Sequence, residues 1–365
     1  MDSPAEEIVI KKETEGFRFL KEHWDQLDGD YFFHDYEWNR IAADCRKSGE
    51  LIFICFYRSG ELYAILPLSK SDEKRYGVRC TYLGFCEPDH LFLHGIIGKK
   101  IISTKFQIND VRRVLNSAGV QYDFFKFKRV YGGEVDNLLH LNRSLFIRVN
   151  EQKSNIIDCS KGFDDYFQKL SKNRRQGLGK KYRRLERLGK LQTLISDSES
   201  RSHYLEQYLN LEKKSWKGSR GNAILNTESQ TRFYREIAKL DETVVFLLVA
   251  DTVVVASEIA IQSKDTLFVC KTSFDEAYAK YSPGELLLLE TVKFACERKV
   301  GTVNLNTDLS WHAHLSNASR PLKSYEIYRK SPRCAVVLLI DWVVGTLKRL
   351  RGVRATLSVR EQEPG

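Results

Sequence analysis

Two stretches of this chain carry the same order of signals, and that repetition constrains the fold more than any other feature. Residues 51–84 read LIFICFYRSGELYAILPLSKSDEKRYGVRCTYLG, and residues 244–275 read VVFLLVADTVVVASEIAIQSKDTLFVCKTSFD. Each predicts a strand, a tight turn, a second strand, a polar loop and a third strand. Arg58-Ser59-Gly60-Glu61 and Ala250-Asp251-Thr252 supply the first turns. Helical sequence precedes each triple, HDYEWNRIAADCRKS in one case and ESQTRFYREIAKL in the other. A helix and a further strand follow each: 109–118 then YDFFKF, and 284–298 then TVNLNT. The pattern predicts an α+β fold in which one unit is used twice, each a mainly antiparallel sheet with helices on its faces.

Between the units, FDDYFQKLSKNRRQGLGKKYRRLERLG (163–189) has apolar residues at helical spacing, with Gly177 and Gly179 expected to break or bend it. The expected organisation is a first unit over 1–160, a basic helical arm over 161–190, a second unit over 191–330 and an amphipathic basic tail over 331–365. Charge follows this division. Residues 171–190 hold nine Lys/Arg and one Glu, and residues 342–365 hold five Lys/Arg and two Glu, out of a net +10. Anionic partners are therefore expected at the arm and the tail. The tail segment VVLLIDWVVGTLKRLRGVR has the composition of an interfacial helix, and Asp341 interrupts an apolar run too short to span a bilayer. The eight cysteines form no C-x-x-C pair and sit mostly in apolar runs, which argues against a zinc site or disulfide framework and for a reducing cytoplasm. The start, MDSPAEEIVIKKE, has no apolar leader region, so no secretory signal is expected.

The stretch YAKYSPGELLLLETVKFACERK (278–299) turns at Ser282-Pro283-Gly284 and enters a helix. A small turn at a helix mouth either starts a core helix or exposes backbone N–H groups to an anion, such as the pyrophosphate of a nucleotide.

These residues resemble the GNAT acyltransferases, in particular the tandem branch called CelD-like or BioF2-like, which is related to the Fem peptidyltransferases. The pieces that carry the resemblance are LSKNRRQGLGKKYRRLERLG at 170–189, LEKKSWKG at 211–218, KTSFDEAYAKYSPGELLL at 271–288, the region of Asp308, and ILPLSKSDEKRYGVRCTYLG at 65–84. The resemblance implies that an acyl-CoA donor, acetyl-CoA in the simplest case, lies in a gap between two splayed strands with its pyrophosphate on the following helix. Tyr281, Ser282, Pro283, Gly284 and Glu285 would form that mouth, and Lys271 is placed to meet a phosphate or a substrate carboxylate. The loop signature Gln/Arg-x-x-Gly-x-Gly/Ala of many GNAT enzymes is absent, and Fem relatives use aminoacyl-tRNA instead.

Acyl transfer needs a base and oxyanion donors rather than a metal. Glu258, a carboxylate in an otherwise apolar or small strand, is either a general base at the cleft or an outward charge on an alternating strand. Asp308 follows the strand TVNLN, where this branch carries a site residue. Relatives place a Tyr-Lys pair three and four residues later; here Trp311 and His312 stand instead. His312 is a candidate titratable group, or simply a polar loop residue. Trp216, Arg174 and Trp311 are expected on the acceptor side. No metal-ligand cluster, Ser-His-Asp order or P-loop is visible. The resemblance implies an N- or O-acyltransferase acting on a sugar, polysaccharide precursor or lipid-like amine in envelope or exopolysaccharide synthesis, cytoplasmic and peripheral to the inner membrane face through its tail. The competing readings are a Fem-type transferase that takes tRNA on the basic arm, and a non-enzymatic protein of membrane surfaces or nucleic acid.

Overall fold

The computed structural model describes residues 6–24, 26–27, 29, 31–46, 49–86, 93–98, 106–131, 134–139 and 146–360, with side chains on its last helix described to residue 347. Among the described residues, the strands are β1 (Glu6–Lys12), β2 (Leu51–Arg58), β3 (Glu61–Arg75), β4 (Val78–Gly84), β5 (Phe124–Tyr131), β6 (Phe146–Asp158), β7 (Leu191–Ile195), β8 (Thr243–Ala250), β9 (Val253–Ser263), β10 (Thr266–Phe274), β11 (Thr302–Asn304) and β12 (Ala318–Tyr328). They form one continuous sheet in the order β1-β2-β3-β4-β5-β12-β6-β11-β10-β9-β8-β7. All neighbours are antiparallel except β4–β5 and β10–β11. Each of those parallel pairs is joined by a crossover helix, Ile108–Ser117 in the first half and Pro283–Glu297 in the second.

The repeated strand triples appear as β2-β3-β4 and β8-β9-β10. Ser59 and Gly60 both have positive φ (51° and 82°), as do Tyr76 and Gly77 (51° and 83°), the backbone that a tight hairpin needs. The polar loop expected before β4 is not a loop. SDEKR is the outer half of β3, and its charges are matched across strands: Asp72 accepts from Arg79 at 2.6 Å and from the Thr81 hydroxyl at 2.7 Å. Glu73 pairs with Arg75 and Lys126. Polar residues thus extend a hairpin wherever partners of opposite charge stand opposite them.

The halves exchange strands. β6, which closes the first half in sequence, pairs with β11 of the second; β12, which closes the second, pairs with β5 of the first. β6 and β12 then pair with each other along Ala318↔Ile156 to Tyr328↔Phe146. One core lies under the helix Pro283–Glu297, where Leu287, Leu288 and Val292 meet Phe246, Leu267 and Val303. On the opposite face, Tyr208, Phe233, Val245 and Ile259 pack with Phe32, Phe33 and Trp38 of the first half.

The arm is two helices, Phe163–Lys169 and Lys172–Glu186. The break falls at Leu170–Ser171, where the Ser171 hydroxyl accepts from the Arg174 N–H at 3.3 Å. Gly177 and Gly179 do not interrupt the second helix, because Leu178 and Leu185 are buried on its inner side and hold it to the core. The tail forms a helix, Pro332–Arg360, whose first turns belong to the fold: Cys334 and Val337 are buried against Cys80, Phe124 and Tyr328. Asp341 accepts from the Tyr76 hydroxyl at 2.5 Å and pairs with Arg148 at 3.0 Å. The side chains of the basic part of the tail, 348–360, and residues 361–365 lie outside the described residues. No helix among the described residues is long and apolar enough to cross a membrane.

Candidate active site

β10 and β11 run side by side only over Thr266–Phe268 and Thr302–Asn304, and then part. A register shift between Val269 and Lys271 bends β10 at the point of separation. Across the gap, the chain after β11 turns at Asn306, which has a φ of 54°. The Asn306 amide donates to the Val269 carbonyl at 3.1 Å. Asn304 fixes that turn by accepting from the Asn306 N–H at 2.9 Å while donating to the Tyr131 hydroxyl at 2.6 Å. A buried polar network therefore sets where the parallel pair ends and the gap begins.

The gap is a cleft of about 510 Å³. Val269–Phe274 of β10 form one wall, and Leu305, Thr307, Leu309, Trp311 and His312 form the other. Ser282, Gly284 and Glu285 close one end, with Ser215, Trp216 and Lys217 at its side. This size and mixture of apolar and polar lining suit a small-molecule site. Of the residues singled out in sequence, Lys271, Ser282, Gly284, Glu285, Trp216, Trp311 and His312 all line this cleft.

The helix mouth is built from a 3-10 turn, Glu276–Tyr281, which Asp275 caps by accepting from the Ala277 N–H at 2.9 Å. Ser282 follows with a left-handed backbone and makes no side-chain cap, and Pro283 takes the first helical position, where its missing N–H costs nothing. The Ser282 carbonyl accepts from the N–H groups of Glu285 (3.0 Å) and Leu286 (3.3 Å). Among the described residues, the Gly284 N–H has no acceptor. A Cβ placed on Gly284 would lie 3.7 Å from Thr272 Cγ2 and 3.9 Å from Phe274 Cδ1, an ordinary contact, so packing does not demand glycine here. The Glu285 carboxylate pairs with Arg174 at 2.9 Å and Lys181 at 2.8 Å. Two arm cations against one carboxylate leave a net positive charge beside the positive end of the helix. Arg174 thus acts at the mouth through Glu285 and does not itself line the cleft.

His312 is buried at 4% exposure in the short helix Ser310–Ala313. Its Nδ1 lies 2.8 Å from the Thr307 hydroxyl, and its buried Nε2 has no partner among the described residues. Burial lowers its pKa to about 4, so the ring is neutral at physiological pH. The Trp311 ring packs edge-on against it with centroids 3.8 Å apart. The buried Ser273 hydroxyl, on the same cleft, likewise has no partner among the described residues.

The other candidates sit elsewhere. Glu258 is wholly buried between β9, β10 and the crossover helix, where it accepts from Thr272 at 3.0 Å and Thr291 at 2.8 Å. Burial raises its pKa to about 7 against the opposing effect of the two hydroxyls. It is outside the cleft lining, and its partner Thr272 is part of that lining. Asp308 is exposed and outside the lining. Tyr281 is half-buried against the second-half core, with the Lys280 ammonium 5.0 Å from its ring centre, and Pro283 is buried under the mouth. Trp216 is 44% exposed, its ring lies 5.0 Å from the Arg220 guanidinium, and its backbone N–H donates to the Glu276 carboxylate, which ties the cleft's side to its mouth. Lys217, passed over in sequence, donates to the Thr272 carbonyl at 2.9 Å and pairs with the buried Glu212 at 3.0 Å. Asn306 and Thr307 were passed over too, although the polar run NLNTD straight after an apolar strand carried a signal.

A strand gap with a helix mouth at its end, in a sheet built twice, defines the class: a tandem acyltransferase-type fold. Residues 172–310 match the family described as Acetyltransferase (GNAT) domain, so the second half of the chain carries a GNAT domain. No curated protein matches the sequence. Among solved structures, FemX shares 11% identity at a TM-score of 0.56, covering 87% of this chain and 97% of FemX. The C-terminal domain (DUF2156) of a putative lysylphosphatidylglycerol synthetase from Agrobacterium fabrum shares 11% at 0.54, covering 90% and 96%. A tandem GNAT protein from the clavulanic acid biosynthesis pathway shares 9% at 0.50, covering 90% and 100%. At these identities the likeness is one of fold.

Proposed function

We propose that this protein transfers an acyl group from acyl-CoA to an amine or hydroxyl of a sugar, polysaccharide precursor or lipid-like amine in envelope or exopolysaccharide synthesis. The observation that carries the reading is the open gap beyond Phe268–Asn304, which ends on a helix mouth with an unpartnered Gly284 N–H and a net positive charge. An extended chain with amides and a pyrophosphate matches that sequence of features. The donor supplies an activated acyl carbon. Gly284, Ser282 and the Arg174–Glu285–Lys181 cluster hold its phosphates, and Lys271 and Trp216 contact the acceptor. His312 Nε2, neutral and buried, accepts the proton from the attacking nitrogen or oxygen, and Thr307 holds the ring in place. Glu258 has a positioning role through Thr272, and Asp308 serves the acceptor entrance from outside the cleft.

The test is thiol release from acetyl-CoA by purified protein given pools of amino sugars and amines, with aminoacyl-tRNA in parallel. We expect acceptor-dependent thiol release that His312→Gln abolishes. Product from aminoacyl-tRNA alone would replace this reading with the Fem-type one, to which the cationic arm lends support. We also propose peripheral membrane contact. Val336, Leu339, Trp342, Val343 and Leu347 are exposed along the tail helix, and Lys348, Arg349, Arg351 and Arg354 follow in sequence. Sedimentation with anionic vesicles, lost in Trp342→Ser/Leu339→Ser, checks this. Vesicle binding without any transfer would leave the non-enzymatic reading.

A further inference from the structure

The arm borders two adjoining cavities of opposite character. The first, about 590 Å³, lies between the arm and the crossover helix Pro283–Glu297, and Phe163, Leu178, Leu191, Leu286 and Leu289 make it apolar. Its charged residues cancel: Glu290 and Lys293 are paired at 2.6 Å, and the Lys293 ammonium lies 5.3 Å from the Phe163 ring centre. The second, about 570 Å³, is cationic, with Arg175, Lys180 and Arg183 on its walls. Arg175 is engaged, donating to the carbonyls of Gln168 and Leu170 at 2.5 Å each. Lys180 and Arg183 have no partner among the described residues.

The cavities share two residues, Phe167 and Gly179. Glycine inside a helix costs about 1 kcal/mol relative to alanine. No crowding requires it here, since a Cβ on Gly179 would meet only the tip of Arg183, at 3.5 Å. What the missing side chain does is leave the apolar and cationic cavities adjoining across bare backbone.

We propose that this paired cavity binds a single-chain anionic lipid, with its acyl chain between the arm and the crossover helix and its phosphate against Lys180 and Arg183. One chain suits the volume of the apolar cavity, and among the described residues the uncompensated charges on the adjoining walls, Lys180 and Arg183, are cations. The site is separate from the donor cleft and does not depend on the acyl-CoA reading. It also bears on that cleft, because the arm that would hold the lipid carries Arg174 and Lys181, the two partners of Glu285.

The test is calorimetric titration of the full-length protein with oleoyl lysophosphatidate and with neutral monooleoylglycerol, each below its critical micelle concentration. We expect saturable lysophosphatidate binding and affinity for the neutral lipid weaker by about tenfold or more. Gly179→Leu fills the shared wall, improves helix propensity and should abolish binding without lowering the melting temperature. Lys180→Gln/Arg183→Gln should keep chain binding and erase the preference for phosphate. No saturable binding by the wild type overturns the proposal. So does wild-type affinity in folded Gly179→Leu, which would place the lipid elsewhere. Equal affinity for both lipids removes the role of the cations. Concentration-dependent dimerisation that Gly179→Leu abolishes, without lipid binding, would make a second copy the occupant. Should Gly179→Leu fail to fold, the double variant decides by itself.

Discussion

Replacing Gly284 by alanine separates the two explanations for the Ser282-Pro283-Gly284 turn. If the turn only starts a core helix, alanine should be harmless or better. The added methyl meets Thr272 Cγ2 at 3.7 Å and Phe274 Cδ1 at 3.9 Å, close enough for contact and too far for a clash. Gly284 has no positive φ, so alanine fits the backbone and removes freedom from the unfolded chain, a gain of about 0.5–1 kcal/mol. That gain raises the melting temperature by roughly 1 °C in a chain of this size. If the turn cradles phosphate, the same methyl crowds the one N–H at the mouth that lacks an acceptor. Losing a hydrogen bond to a charged group costs about 1.5–3 kcal/mol, or roughly 10- to 100-fold in affinity. The donor-site reasoning therefore predicts a variant that is more stable and binds acetyl-CoA much more weakly, a combination that a packing role cannot give. Ser282→Ala, which removes one hydroxyl, should cost only about 0.5–1.5 kcal/mol of binding. Differential scanning calorimetry and titration with acetyl-CoA read both effects. A stabilised Gly284→Ala protein that binds acetyl-CoA like the wild type would refute the phosphate reading.

Four further outcomes are expected. Glu258 has a folded pKa raised to about 7, so its stabilising contribution is full below the ordinary carboxyl range and is lost as pH rises through about 7. Urea unfolding should show a loss on the order of 3 kcal/mol by pH 9 that Glu258→Gln removes, and a flat wild-type profile would contradict it. His312, lowered to about 4, contributes stability that is full above about 6.5 and is lost as pH falls toward 4; activity should likewise hold down to about pH 5, and an acid limb near 6.5 in the pH–rate profile would deny its role. Lys217→Met strands the 1% exposed Glu212 without its cation and should cost about 3 kcal/mol in denaturant melts, most of it recovered by adding Glu212→Gln. Truncation after Ser331 should lower stability by several kcal/mol in urea melts because Cys334 and Val337 are buried, and an unchanged midpoint would contradict this.

What the sequence disclosed follows from where the information lies. β2 and β8 are continuous apolar runs, and the turns between strands carry Gly or Asp, so local signals suffice. β6 has no such signal. Most of FIRVNEQK is exposed and polar, and it is a strand because β12, more than 160 residues away, pairs with it. β12 reads no better, since ASRPLKSYEIY carries a proline and few apolar residues at its start. The strand exchange was therefore invisible to any local pattern. Gly177 and Gly179 misled because propensity is a weak prior beside the burial of Leu178 and Leu185. In the site, the residues near the turn and after β11 were legible as small or polar groups at strand and helix ends. Glu258 looked equally functional, yet its surroundings depend on Thr291, supplied by a helix 33 residues further on.

The two halves share a topology and differ at one place that bears on the donor. In the first half β4 stops after Gly84, which pairs with Ser69 of β3 and Lys126 of β5. The gap beyond it is occupied by the chain itself. His94 forms a parallel bridge to Val130 of β5, and Ile97 an antiparallel bridge to Ile65 of β3. Phe85 stacks on the His94 ring at 5.3 Å and seals the position. The first half thus demonstrates, with its own residues, what such a gap accepts: an extended chain whose amides bridge to the flanking strands. The second half has the same parallel pair ending in the same way, and its gap stays open as the cleft of about 510 Å³. An extended, amide-bearing donor arm would complete there the pairing that Leu93–Gly98 completes in the first half. The first half thus fills its own gap with Leu93–Gly98, and the cation–π cluster of Tyr31, Tyr131 and Arg320 lies where β12 of the second half meets β5 of the first.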